Sequence, residues 1–291
     1  MDIFLALEQN ATFLYLSVGF LGLLVGSFLN VVVYRLPIML QKGWRQECLA
    51  FLQQEDSQPT SSEVFNLSQP RSRCPSCGHL ISAIENIPVV SYLFLKGRCK
   101  SCKKAISIRY PIVELITAIL SIIVAIQFGL SVQAGVALLF TWALVCLTLI
   151  DFDTQLLPDS ITLPLLWFAL FASLFDVFVA PQAALIGALA GYLSLWAVFW
   201  VFKFLTGKEG MGYGDFKLLA AIGALLGWSM LPLVIMLSAF VGAAIGLTLI
   251  LIKGRDKNIP IPFGPYLSVA TFIALIWGEK INSTYLQIVG L

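Results

Sequence analysis

Residues 212–215 read Gly-Tyr-Gly-Asp, a GxGD turn at the mouth of an apolar segment, with Lys208, Glu209 and Lys217 close by. A second carboxylate, Asp151, ends another apolar segment sixty-four residues earlier. Two aspartates brought together at a membrane edge can act as an acid protease. One carboxylate takes a proton from water while its protonated partner donates to the scissile carbonyl. The glycines let the backbone turn tightly and a substrate strand approach closely. The plainer alternative is a glycine turn with an aspartate at a helix start. An ionisable residue at a membrane span favours a functional role, because its desolvation must be compensated.

A second constellation is Cys74-Pro-Ser-Cys77 followed by Cys99-Lys-Ser-Cys102. Two CxxC pairs at this separation fit a four-cysteine zinc knuckle, each pair wrapping one face of a tetrahedral ion. A four-sulfur site is closed, so its role is structural. Two disulfides or free thiols are the alternatives. Cys48 and Cys146 lie outside the pattern and are expected to pack. His79 is the only histidine. An HExxH zinc protease is therefore excluded, as is a Ser-His-Asp or Cys-His centre that does not use His79.

These residues need elements to position them, and composition defines the elements. Of 291 residues 59% are hydrophobic and 12% charged, with mean hydropathy +0.90. A soluble domain carries about 25% charged residues. The chain reads as an all-α polytopic membrane protein with about eight transmembrane segments and a four-cysteine zinc-binding insertion. The apolar segments are 13–34, 111–128, 134–150, 161–177, 183–205, 216–227, 233–252 and 266–277. Most approach the ~20 residues a bilayer requires; 216–227 is too short and reads as a helix extending back to the GxGD turn. The expected organisation is a first span over 1–35, a zinc-binding domain over 36–110 and a transmembrane peptidase core over 111–291. Within the insertion, 44–53 reads as a short surface helix and 57–68 as loop. Pro260–Pro265 reads as a rigid, non-helical edge. Met1–Asn10 carries no Lys or Arg and does not look like a cleaved signal peptide.

Eleven of the eighteen Lys and Arg fall between Arg35 and Arg109. By the positive-inside rule this stretch is cytoplasmic and both termini are periplasmic. Zinc thiolates suit the reducing cytoplasm. Asp151 then ends a span running inward and Asp215 begins one running outward, so both lie at the cytoplasmic boundary. Asp153 and Asp159 lie there too, and topology alone does not choose among the three. A non-enzymatic transport or assembly protein with a zinc docking module is the competing reading. Transport carboxylates belong near the bilayer midplane, whereas these lie at its edge.

Several stretches together resemble the bacterial type IV prepilin peptidases: GSFLNVVVYRLP, PRSRCPSCGH with GRCKSCK, RYPIVEL, IDFDTQLLPDSITLPLLW, GMGYGDFKLLAAIGALLGW and IPFGPYL. The resemblance covers nearly the whole chain. It implies a bifunctional inner-membrane enzyme whose active site faces the cytoplasm. Such an enzyme cuts the basic leader of type IV prepilins and type II secretion pseudopilins after a glycine. It then N-methylates the new terminus with S-adenosylmethionine. The family's catalytic aspartates match Asp151 and Asp215. The resemblance links Gly97 to methylation and makes Glu114 a candidate for the amine or cofactor end; the alternatives are a turn glycine positioning the knuckle for Gly97 and an ion pair with Arg109 for Glu114. The expected partners are pilin precursors and membrane phospholipids, not nucleic acid. GxxxG spacings at Gly187/Gly191 and Gly242/Gly246 would suit helix packing or homo-oligomerisation.

Overall fold

The computed structural model describes residues 7–52, 65–208, 210–253 and 262–289. Each of the eight apolar segments is a helix, and no named strand occurs among the described residues. Five helices are long and apolar enough to cross a membrane. The chain divides into two compact units, Met1–Leu130 and Ser131–Leu291.

In the first unit, α1 (Ala11–Phe51) begins at an Asn10 cap whose side chain accepts from Phe13 N. Its 41 residues form one rod of about 60 Å, twice the ~30 Å of a bilayer core. The separate surface helix expected over 44–53 is thus the far end of α1, except that Gln53 lies outside the described residues. Pro37 costs a backbone hydrogen bond without ending the helix. The following Leu-Gln-Lys and Arg-Gln-Glu runs are good helix formers and carry it on. Most of the loop expected over 57–68 also lies outside the described residues; 65–68 is irregular chain. The buried Arg35 clips this segment to α1, donating to the carbonyls of Asn66 (2.9 Å) and Pro70 (2.6 Å).

The short helix α2 (Val90–Phe94) lies in the insertion, and α3 (Arg109–Phe128) packs along α1. A Cβ on Gly22 or Gly26 would lie 2.7 Å from the Cα of Ala118 or Glu114, so small residues set this close crossing. Asn30, the polar exception in the first span, donates to the Tyr110 carbonyl (3.2 Å).

The second unit contains α4 (Val132–Thr154), α5 (Asp159–Ser173), α6 (Pro181–Thr206), α7 (Tyr213–Leu226), α8 (Leu231–Lys253) and α9 (Gly264–Val289). α7 has 14 residues, about 21 Å, too short to span. Every residue from Leu218 to Leu226 is buried, as expected of a helix apolar all round. It packs against α5 and α6 and also meets α9, while α9 packs on α4. Gly187 on α6 meets Gly223 on α7 backbone to backbone, and Gly191 packs on Leu219. The first GxxxG therefore joins helices of its own chain.

Several expected boundaries shift. α4 runs to Thr154 rather than 150, and α9 opens at Gly264, so the edge expected to be non-helical over 260–265 is helical at its last two residues. α5 stops at Ser173 rather than 177, where Asp176 takes a positive φ of 51°. α9 runs to Val289 rather than 277, because its later turns are helix-compatible but too polar for a hydropathy reading.

Candidate active site

Asp151 sits in the last turn of α4, which stops where Gln155 turns left-handed and returns its N–H to the Asp151 carbonyl (2.9 Å). Its side chain is buried, while Asp153, two residues and about 200° further round the helix, is exposed. Asp151 Oδ2 accepts from Gly264 N at 3.0 Å. That amide opens α9, so the carboxylate lies at the positive end of a helix dipole. A Cβ on Gly264 would lie 2.7 Å from Asp151 Oδ2, so the contact requires glycine here.

The GxGD turn leads directly into α7. Gly212 is the N-cap and Asp215 lies in the first turn, buried, its N–H bonded to the Gly212 carbonyl (3.3 Å). Asp215 Oδ1 is buried and has no hydrogen-bond partner among the described residues. The two carboxylates are near enough for charge on Asp151 to act on Asp215. Leu157 holds the surrounding turns in register. A Cβ on Gly214 would fall 2.6 Å from Leu157 Cβ, and one on Gly264 3.1 Å from its Cδ2. One leucine thus wedges between the GxGD turn and the start of α9.

Asp159 has a different partner. Both its oxygens accept from Lys217 Nζ at 2.7 Å, tying the first turn of α5 to the second turn of α7. Of the carboxylates at this edge, the structure therefore brings Asp151 and Asp215 together and commits Asp159 to a lysine.

The cysteines gather in the first unit. The Sγ atoms of Cys74, Cys77, Cys99 and Cys102 all lie within 4.8 Å of one another, with Cys74–Cys102 at 3.9 Å and Cys77–Cys99 at 4.0 Å. Four sulfurs about 2.3 Å from a tetrahedral zinc would be about 3.8 Å apart, so the donors fit. None is in a disulfide. The two loops share one design. Cys74 N bonds the His79 carbonyl and Gly78 N the Cys74 carbonyl; Cys99 N bonds the Lys104 carbonyl and Lys103 N the Cys99 carbonyl. The Ser76 and Cys77 amides aimed at Cys74 hold its thiol below the usual cysteine range, which favours the thiolate, while desolvation and the neighbouring cysteines push Cys102 up to about 11, so the four sulfurs share their protons unevenly. His79 and Lys100, one from each loop, meet Glu85 at 3.3 and 3.7 Å. Glu85 is held down at about 2, first by the Ser82 amide, then by the Ser82 hydroxyl, His79 and Lys100.

Glu114 on α3 is buried and accepts from Val89 N at 2.8 Å. Gly97 adopts a left-handed φ of 66° and packs on Tyr92, whose Oη a Cβ would approach to 2.9 Å.

Residues 20–128 match the bacterial peptidase A24 N-terminal domain, and residues 138–247 the type IV leader peptidase family. A prepilin leader peptidase/N-methyltransferase of Aeromonas salmonicida is 54% identical over 288 residues, 99% of each chain. One of Pseudomonas aeruginosa is 56% identical over 270 residues, 93% of this chain and 92% of its own. One of Legionella pneumophila is 45% identical over 274 residues, 94% and 95% of the two chains.

The chain belongs to the type IV leader peptidase family.

No solved structure matches it. The family's N-terminal domain takes in the whole cysteine knuckle and α3, and its peptidase domain takes in both Asp151 and Asp215. Gly264 lies beyond the matched residues. Sequence reasoning missed it as the hydrogen-bond donor to Asp151. The available signal was a glycine followed by proline at a helix start, where a proline costs no helical hydrogen bond.

Proposed function

We propose that this chain removes the leader peptides of type IV prepilins and type II secretion pseudopilins and N-methylates the residue exposed by the cut. The observation that carries the proteolytic half is the buried pair itself. Asp151 is oriented by the Gly264 amide, and Asp215 keeps an oxygen without a partner among the described residues. A catalytic carboxylate must leave an oxygen for water or substrate, and Asp215 Oδ1 is available for that. With one proton on the pair, the ionised carboxylate takes a proton from the attacking water and the protonated one donates to the carbonyl oxygen. The roles belong to the pair, whose titrations are coupled. The names of the full-length relatives support both activities.

The four cysteines hold zinc in this reading. Because the sulfur set is closed, the metal's role is structural, and it fixes the two loops against each other. S-adenosylmethionine supplies the methyl group. Glu114 is a buried carboxylate suited to a cationic group, either the cofactor's amine or the substrate's new N-terminus. Gly97 would act through Tyr92, by fixing where that ring lies. The working organisation is a first span over 1–35, the zinc-binding domain over 36–110 and the peptidase core over 111–291. The enzyme resides in the bacterial inner membrane with both termini periplasmic, as the Lys and Arg distribution supports.

The direct test is purified protein in detergent and phospholipid, given S-adenosylmethionine and a prepilin whose basic leader ends in glycine. Mass spectrometry should show loss of the leader and gain of one methyl group. An intact substrate after incubation with folded enzyme would refute the reading.

Two substitutions probe the halves separately. Gly264→Ala forces the Asp151 carboxylate aside, and a displacement near 1 Å costs on the order of 10²-fold. Cleavage should fall by about that much, with methylation of a pre-cut pilin retained. Gly97→Ala combines a left-handed φ, which costs a residue with a Cβ about 1–2 kcal/mol, with a contact on Tyr92. It should lower methylation several-fold and leave cleavage near wild type, read from the same two mass shifts.

A further inference from the structure

The insertion leaves an apolar face uncovered beside the knuckle. Val90, Leu93 and Phe94 stand at i, i+3 and i+4 on α2, so they share one side, and Ile84 and Ile87, just before α2 in the chain, are exposed as well. Phe94 is 84% exposed, Ile84 78% and Leu93 68%. A cluster of large apolar side chains left open to water is costly, and it marks a surface that meets something else. The knuckle's hydrogen bonds and sulfur cluster do not involve them.

Two observations say what covers the face. The first is depth. Val89, immediately before α2, donates to Glu114, which lies five residues into the membrane helix α3, about 7 Å along its axis. Helix side chains lean toward the N-terminus, so the tie lies within the first turns of α3, where a span crosses the lipid headgroups. Exposed Tyr110 stands one turn before Glu114, in the first turn of α3, a position favoured by interfacial aromatics. The second is charge. Residues 65–110 carry eight Lys and Arg against one acidic residue, Glu85. Lys96 and Arg98 are exposed immediately after α2. An apolar face rimmed by cations matches a bilayer surface with anionic headgroups.

We propose that residues 84–94 form an interfacial anchor that inserts Ile84, Leu93 and Phe94 into the bilayer the chain spans, with Lys96 and Arg98 on anionic phospholipid headgroups. The anchor holds the zinc knuckle down on the membrane surface. It is independent of whether either enzymatic activity is present.

The test places the photocrosslinker p-benzoylphenylalanine at Phe94, and separately at Ile84, in the full-length protein. The protein is reconstituted in vesicles of phosphatidylethanolamine and phosphatidylglycerol. Phe20, exposed on the apolar part of α1, is the lipid-facing control, and Ser76, exposed on the knuckle, the water-facing one. After irradiation, positions 94 and 84 should give at least about tenfold more lipid adduct than Ser76, approaching Phe20. Lys96→Gln with Arg98→Gln should reduce the phosphatidylglycerol share of the adducts. Lipid adduct no higher than at Ser76 would overturn the proposal. So would adducts formed only with protein, which would make the face a contact with a second copy.

Discussion

Asp215→Asn and Asp151→Asn should each lower leader cleavage by on the order of 10³-fold, within the range that positioned acid–base groups contribute. Asparagine keeps the shape of the side chain but can neither accept a proton from water nor deliver one to the carbonyl oxygen. At Asp151 its amide oxygen can still accept the Gly264 N–H, so that variant should stay folded. At Asp215 the change falls on a buried side chain with one unpartnered oxygen. Neutralising it removes a desolvated carboxylate, so the protein should be at least as resistant to thermal unfolding as wild type. Loss of activity without loss of stability separates a catalytic carboxylate from a structural one. Methylation of a pilin supplied already cut should persist in both variants, because Glu114 and Gly97 belong to the first unit and the aspartates to the second.

The next largest effect is expected at the knuckle. Cys99→Ser, or a strong chelator, should release zinc and open the stretch around residues 71–106. Structural zinc binding carries about 10–16 kcal/mol of apparent free energy in small fingers. Apart from the one-turn helix α2, this stretch is held by local turns and two isolated bridges, Arg73 with Leu80 and Arg98 with Ala105, with no sheet or long helix of its own. Trypsin should then cut at its Lys and Arg residues while the membrane helices stay intact on a gel. Methylation should be lost, since Gly97 precedes the second cysteine pair by two residues. Zinc removal that left folding and both activities unchanged would show that the metal does not shape the methylation site.

The sequence made some of this legible and hid the rest for physical reasons. Hydropathy is a local property, so all eight apolar segments could be read off directly. Even the twelve-residue stretch after the GxGD turn was recognisable as too short, and it proved to be a helix enclosed by others. The paired CxxC spacing foretold a cluster because zinc geometry leaves few alternatives. Continuation of α1 through Pro37 was not legible, since a proline normally argues for a helix end. The hydrogen bond from Gly264 to Asp151 crosses 113 residues, and no local pattern reports it. The same holds for Lys217 with Asp159, 58 residues apart. Topology had left Asp151, Asp153 and Asp159 equivalent. What distinguishes them is helix phase, which turns Asp153 outward, and one lysine, which engages Asp159.

The most direct measurement is the initial rate of prepilin cleavage for Asp151→Asn, Asp215→Asn and the double variant, beside Asp153→Asn and Asp159→Asn, all reconstituted in phospholipid. Two carboxylates acting as one unit lose their function together. Both single variants should therefore fall to the rate of the double variant, with Asp153→Asn near wild type. Cleavage near the wild-type rate by either folded single variant, or losses that simply multiply in the double variant, would contradict a shared catalytic pair.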